Sequence, residues 1–173
     1  AAHGVAVAHC PGSNAKLASG IARVNDMVTA GIAVGLGTDG PSSNDDLDLW
    51  EEMRLAAMLA RLSSMDATAM TAPDALLLAT RGGAAALGRD DIGALEPGRW
   101  ADVVHLDAAD PAFAAGLDAP DEQLLANVVW AAGARLVRDV WVAGEQVVAE
   151  GEPTKVDRAE VQAAARAVTA RLR

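Results

Sequence analysis

The sequence predicts an α/β fold: parallel strands alternating with helices, then a small β unit and a terminal helix. Three observations predict it. First, Val5-Ala6-Val7-Ala8 and Ile32-Ala33-Val34-Gly35-Leu36 are short apolar runs flanking a helical pattern from Ile21 to Ala30. A strand, a crossover helix and a second strand form a unit whose strands run parallel. Second, the later run ends in Gly35-Leu36-Gly37-Thr38-Asp39-Gly40, so a carboxylate follows a buried strand. That position serves stability poorly and chemistry well. Asp39-Gly40 is also ordinary turn punctuation. Third, from Ala101 onward the pattern becomes short strands separated by turns.

The elements follow in order. His9-Cys10-Pro11-Gly12-Ser13-Asn14 reads as the loop after the first strand. The first helix carries Ile21, Val24, Met27 and Val28 on one face and stops at Gly31, a residue free to take positive φ. Gly40 to Asp46 is polar and rich in turn formers. Leu47 to Leu62 then reads as a long helix with Leu55, Met58, Leu59 and Leu62 as its apolar stripe. Asp45, Asp46, Asp48, Glu51 and Glu52 gather at its start, where the helix dipole favours them, and read as a solvated helix end.

Thr71-Ala72-Pro73-Asp74 has the form of an N-cap with proline just inside the helix. That helix runs through Leu76, Leu77 and Leu78, is interrupted at Gly82-Gly83, and ends at Leu87-Gly88. Asp91 to Trp100 is turn-rich. Strands are expected over Ala101–Asp107, over Asn127–Ala131, and on both sides of an Ala143-Gly144 turn between Leu136 and Val148. Ala108 to Glu122 reads as a loop. The last helix starts at Asp157, with capping-box spacing to Glu160 and a Val156–Val161 staple, and runs to Leu172.

Composition narrows the function classes. The chain has 173 residues, 51% hydrophobic and 22% charged, enough for a sizeable core. Its formal net charge of −10 disfavours nucleic acid and anionic membrane surfaces as partners, because both require a basic footprint. Cys10 is the only cysteine, so no internal disulfide forms, and a reducing, cytoplasmic setting is expected. The N-terminal residues lack the pattern of a signal peptide. With no initiator Met and a strand almost at once, the N-terminus reads as a cut.

His9-Cys10-Pro11-Gly12-Ser13-Asn14, Lys16-Leu17-Ala18-Ser19-Gly20-Ile21, Gly35 to Gly40, Ser43-Asn44 and Glu51-Glu52-Met53-Arg54 occur in that order. Together they resemble the C-terminal part of the amidohydrolase superfamily, in the branch of 5-methylthioadenosine/S-adenosylhomocysteine deaminases and related chlorohydrolases. Gly93 to Asp102 resembles the family's return from its barrel into a small β domain, and Val140 to Gly144 its last hairpin. The resemblance implies an α/β fold: the C-terminal part of a metal-dependent (β/α)8 TIM barrel, part of a small β-sandwich domain, and a C-terminal helix. The implied segments are 1–88, 89–150 and 151–173.

The resemblance also implies the chemistry. The family binds a divalent metal, zinc foremost and iron in some cases, at the C-terminal ends of its strands. Asp39 matches the eighth-strand aspartate, which both ligates the metal and takes a proton from the attacking water. The water adds to an amidine-like ring carbon and ammonia leaves. The family's His-x-His pair and its later histidines have no counterpart among His3, His9 and His105; they and the family's catalytic glutamate are expected upstream of Ala1. A partner segment supplying the rest of the barrel, and a homo-oligomer at full length, are expected.

His9 ends the seventh strand and either hydrogen-bonds a purine-like substrate or holds its own Cys10-Pro11 turn. Ser43 either lines the site mouth as a substrate-binding residue or, with Asn44, caps the following helix. Cys10 reads as a small buried filler. Arg23 and Pro41 depart from the family pattern, and Pro41 bears on the loop that meets substrate. Guanine or 8-oxoguanine deaminase and triazine hydrolase are the rival activities within the superfamily. A non-catalytic interaction domain is the reading from a different class. Two strands alone leave open parallel edges, so the chain by itself is expected to bind metal weakly and deaminate nothing.

Overall fold

Two parallel strands set the position of Asp39. In the computed structural model, which describes residues 2–172, β1 (Val7–His9) and β2 (Val34–Leu36) pair with Val7 opposite Val34 and His9 opposite Leu36. The segment after β1, expected as a loop, forms the short helix α1 (Pro11–Lys16). Pro11 stands in its first turn, where a missing N–H costs nothing. The crossover helix α2 (Val24–Thr29) is shorter than the periodicity implied and buries Val24, while Ile21 and Val28 remain exposed.

The long helix α3 (Leu49–Ser64) turns a different face inward from the one expected. Met53, Ala56, Ala57 and Ala60 are buried, whereas Met58 and Leu62 are exposed. The inward stripe keeps the i, i+3, i+4, i+7 spacing, and its small residues let the helix approach α1, α4 and β2 closely. Its cap is Asp48, which accepts the Trp50 N–H at 2.7 Å. Ser43 and Asn44 do not cap it.

The reciprocal capping box of Thr71 and Asp74 opens α4 (Ala72–Leu77), as the sequence indicates. Gly82-Gly83 does not interrupt the helix. The chain continues through a π-helical turn, Leu78–Gly82, into α5 (Gly83–Ala86). The glycines serve close packing instead: a Cβ on Gly35 would stand 2.6 Å from the Gly83 Cα. A Cβ on Gly82 would stand 2.4 Å from the Val34 carbonyl oxygen.

The second sheet is antiparallel, in the order β3 (Val103–Leu106), β4 (Val137–Val142), β5 (Glu145–Ala149) and β6 (Glu152–Pro153). Ala143 and Gly144, with φ of 53° and 82°, make the tight turn that β4 and β5 require.

Asn127–Ala131 is not a strand. Helix α6 (Asp121–Ala126) continues through it as a π-helical turn. Periodicity cannot separate a short apolar run in a strand from one in a buried helix, and here tertiary contacts decide. Val129 is fully buried, and Trp50 Nε1 donates to the Val128 carbonyl at 2.9 Å. The Arg54 guanidinium donates to the carbonyls of Val129 at 3.2 Å and Ala132 at 2.5 Å, placing a cation on the helix C-terminus.

The principal apolar cluster joins Val24, Val34, Met53, Ala57, Met70, Ala75 and Val129. A smaller one joins Phe113, Ala132 and Leu136. Helix α7 (Arg158–Arg171) starts at the Asp157 cap and buries no residue, and the Val156–Val161 staple stays exposed. No described helix is long and apolar enough to cross a membrane.

Candidate metal and substrate site

Because β1 and β2 are parallel, the segments following them lie at the same end of the strand pair. Asp39 stands there, in the left-handed region at φ 63°, which Asp tolerates better than most residues. Its Oδ1 accepts the Gly40 N–H at 2.8 Å. Its Oδ2 accepts two hydroxyls, Ser43 Oγ at 2.7 Å and Ser13 Oγ at 2.8 Å. The Ser43 hydroxyl, then Ser13 and the Gly40 N–H, hold the Asp39 carboxyl below its ordinary pKa, so it is charged at neutral pH.

The two Asp39 oxygens differ in what they still offer. A carboxylate oxygen accepts about two hydrogen bonds. Oδ2 already has its two donors, whereas Oδ1 has one and keeps a lone pair open on an exposed side chain.

Behind Asp39 lies a concentration of buried polar groups: His9, Ser13, Ser43, Asn44 and Glu52. Glu52 is the deepest, at 1% exposure, and is not part of a solvated helix start. Its Oε2 accepts the Gly12 N–H at 2.8 Å, and its Oε1 accepts Asn44 Nδ2 at 2.5 Å. Burial pushes its carboxyl pKa up, against the pull of those two donors. Sequence reasoning missed Glu52. The available signal was the Met53, Ala56, Ala57, Ala60 stripe, which extends by one i, i+4 step to position 52.

His9 closes β1 and is buried, and burial lowers its pKa, leaving a neutral imidazole at pH 7. No hydrogen bond among the described residues ties its ring to the Cys10-Pro11 turn, so the loop-holding alternative is not realised. Ser43 commits its proton to Asp39 and Gly40, with the Gly40 carbonyl at 3.0 Å. Toward anything else it offers only lone pairs. Cys10 is partly exposed, so it is not a buried filler. Burial and the Asp39 charge raise its thiol pKa, keeping it protonated. His105 lies on the other sheet, 2.8 Å from Asp139, and His3 is exposed.

No described group of three or more His, Cys, Asp or Glu side chains converges well enough to hold an ion. Asp39 fits as one ligand: charged, exposed, oriented by three donors, with an oxygen lone pair free. Glu52 does not fit, since both its oxygens are engaged in the interior.

Residues 1–147 match the amidohydrolase family. The chain is 42% identical over 168 residues to a 5-methylthioadenosine/S-adenosylhomocysteine deaminase from Pelotomaculum thermopropionicum, covering 97% of this chain and 38% of that protein. Among solved structures it resembles an adenosine deaminase from Xanthomonas campestris with bound zinc, at TM-score 0.89 and 40% identity, covering 96% of this chain and 37% of that one. It also resembles a zinc-complexed atrazine chlorohydrolase from Arthrobacter aurescens, at TM-score 0.83 and 31% identity, covering 95% and 36%. The chain thus spans little more than a third of the proteins it matches, and its paired strands and helices are a portion of their barrel fold. It belongs to the amidohydrolase family.

Proposed function

We propose that the chain is the C-terminal portion of a zinc-dependent deaminase that releases ammonia from an adenosine-type substrate such as 5-methylthioadenosine or S-adenosylhomocysteine. The observation that carries this is Asp39: a carboxylate at a parallel strand end, kept ionised, with one oxygen open. The deaminase relatives and the zinc-containing neighbours support the activity and the metal. Bound zinc supplies a Lewis acid that makes water nucleophilic near neutral pH.

The residues of this chain take specific roles. Asp39 Oδ1 is assigned as one metal ligand, and Asp39 Oδ2 as acceptor of the proton that the attacking water loses, freed when the Ser43 hydroxyl turns to the Gly40 carbonyl. Ser13 and Ser43 orient the carboxylate through Oδ2. The neutral imidazole of His9 is assigned to hydrogen bonding with the purine-like substrate, and Ser43 to an acceptor contact with it. The other ligands are assigned to residues upstream of Ala1, since the chain spans 38% of its relative. Residues 1–88 are assigned to the barrel, 89–150 to the small β domain and 151–173 to the terminal helix.

The test is ammonia release by zinc-loaded protein comprising this chain and the barrel segment that precedes it. The substrates are 5-methylthioadenosine, S-adenosylhomocysteine and guanine, with chloride release followed for a chlorotriazine. Turnover of the two adenosyl thioethers is expected, with none by the 173-residue chain alone. Turnover of only guanine or the triazine would reassign the substrate. A folded, zinc-loaded protein that hydrolyses none of them would favour an interaction module.

A further inference from the structure

We propose that Glu52 is a positioning residue for Asp39, its buried carboxylate tying Gly12 to Asn44 and so setting the two hydroxyls that orient the Asp39 carboxylate. This rests on the role given to Asp39 above.

The connection runs through two pairs of sequence neighbours. Gly12 and Ser13 lie in α1, and Ser43 and Asn44 lie in the segment after β2. One member of each pair donates to Glu52: the Gly12 N–H at 2.8 Å and Asn44 Nδ2 at 2.5 Å. The other member of each donates to the same oxygen of Asp39: Ser13 at 2.8 Å and Ser43 at 2.7 Å. Two segments from opposite sides of β2 are therefore clamped between two carboxylates. One carboxylate is fixed on the sixteen-residue helix α3 and the other is open at the strand end.

Stability alone gives Glu52 little reason to be there. It is 1% exposed, its two hydrogen-bond donors are neutral, and its helix neighbours on the same face are apolar. An ionised carboxylate in such a place is costly, and an apolar side chain of similar volume is commonly at least as stable. What an apolar side chain could not supply is two acceptors spaced to hold α1 and the 40–48 segment in register. Gly12 is part of the same device, since a Cβ there would stand 2.1 Å from Glu52 Oε1. The interior carboxylate and the bare backbone facing it are mutually required.

The test uses the complete zinc-loaded protein, with zinc affinity from chelator competition read beside kcat, KM and thermal unfolding. Glu52→Met keeps a similar volume and removes both acceptors, leaving the Gly12 N–H and Asn44 Nδ2 without their partner. It is expected to weaken zinc binding and lower kcat by about 10–100-fold, the range for groups that orient a metal ligand, with KM little changed. Glu52→Gln restores both ties without the charge: its amide oxygen takes the Gly12 N–H, and its NH2 donates to the Asn44 amide oxygen once that amide turns over. This variant is expected to recover most of both quantities, which a role for the charge alone would not allow. If Glu52→Met does not fold, Asn44→Ala, which removes one tie and keeps the charge, is read in the same way.

Zinc affinity and kcat within about twofold of wild type in a variant that merely unfolds at lower temperature would overturn the proposal. So would a Glu52→Gln variant as impaired as Glu52→Met. Asp39→Asn is run alongside. If it leaves zinc binding and turnover intact, the role of Asp39 itself fails. If it removes both while Glu52→Met does not, only the role of Glu52 fails.

Discussion

Asp39→Asn is expected to lower kcat/KM for ammonia release by about 10²–10⁴-fold, the loss associated with a positioned proton acceptor. The substitution keeps the shape of the side chain. Its amide oxygen can still accept the Gly40 N–H, and its NH2 can face Ser13 and Ser43, whose hydroxyls rotate to accept. What disappears is the charge. The side chain is exposed, so the fold is expected to survive, and thermal unfolding measured beside steady-state kinetics separates the two effects.

The pH dependence follows from the same hydrogen bonds. They lower the Asp39 pKa in the folded chain, so the charged form and the stability it contributes are fully present above the unfolded value of about 3.9. Both are lost only as pH falls through the lower, folded value. An acid limb arising from Asp39 is therefore expected below pH of about 4, and loss of Ser43 or Ser13 moves it upward.

Gly82→Ala is expected to destabilise the fold by about 1–3 kcal/mol, the range for overpacking a filled interior. The competing effect has the opposite sign, because alanine is favoured over glycine in a helix by about 1 kcal/mol. Geometry decides between them. The new Cβ would lie 2.4 Å from the Val34 oxygen and 3.1 Å from the Leu77 oxygen, and both are backbone atoms that cannot rotate away. Relief requires the π-helical turn to withdraw from β2, the strand that leads into Asp39. Comparison of urea midpoints checks this. A variant midpoint equal to or above wild type would show that the helix relaxes freely from the strand.

Features set by adjacent residues were legible in the sequence. The glycine-flanked Asp39 after an apolar run, the Thr71–Asp74 capping box and the Ala143-Gly144 turn each depend on local backbone chemistry, and each forms. Features set by what packs against a segment were not. Asn127–Ala131 reads as a strand by composition, yet it is helical because Trp50 and Arg54 on α3 take its carbonyls. The leucine-rich face of α3 looks like its core side, but the alanine face is the one that fits against neighbouring backbone. Glu52 was hidden for the same reason: among five acidic residues at a helix start, only tertiary placement distinguishes the one that turns inward. Ser13 reads as a loop residue and Ser43 as a cap or a residue of the site mouth; their shared acceptor, 26 residues from one and 4 from the other, emerges only in the fold.

Zinc-edge anomalous diffraction from crystals of the complete, zinc-loaded protein tests the assignment of Asp39 most directly. The expected result is a zinc peak about 2.0–2.2 Å from Asp39 Oδ1, with Oδ2 still held by Ser13 and Ser43. A fully occupied zinc site that leaves the Asp39 carboxylate outside its coordination sphere would contradict it.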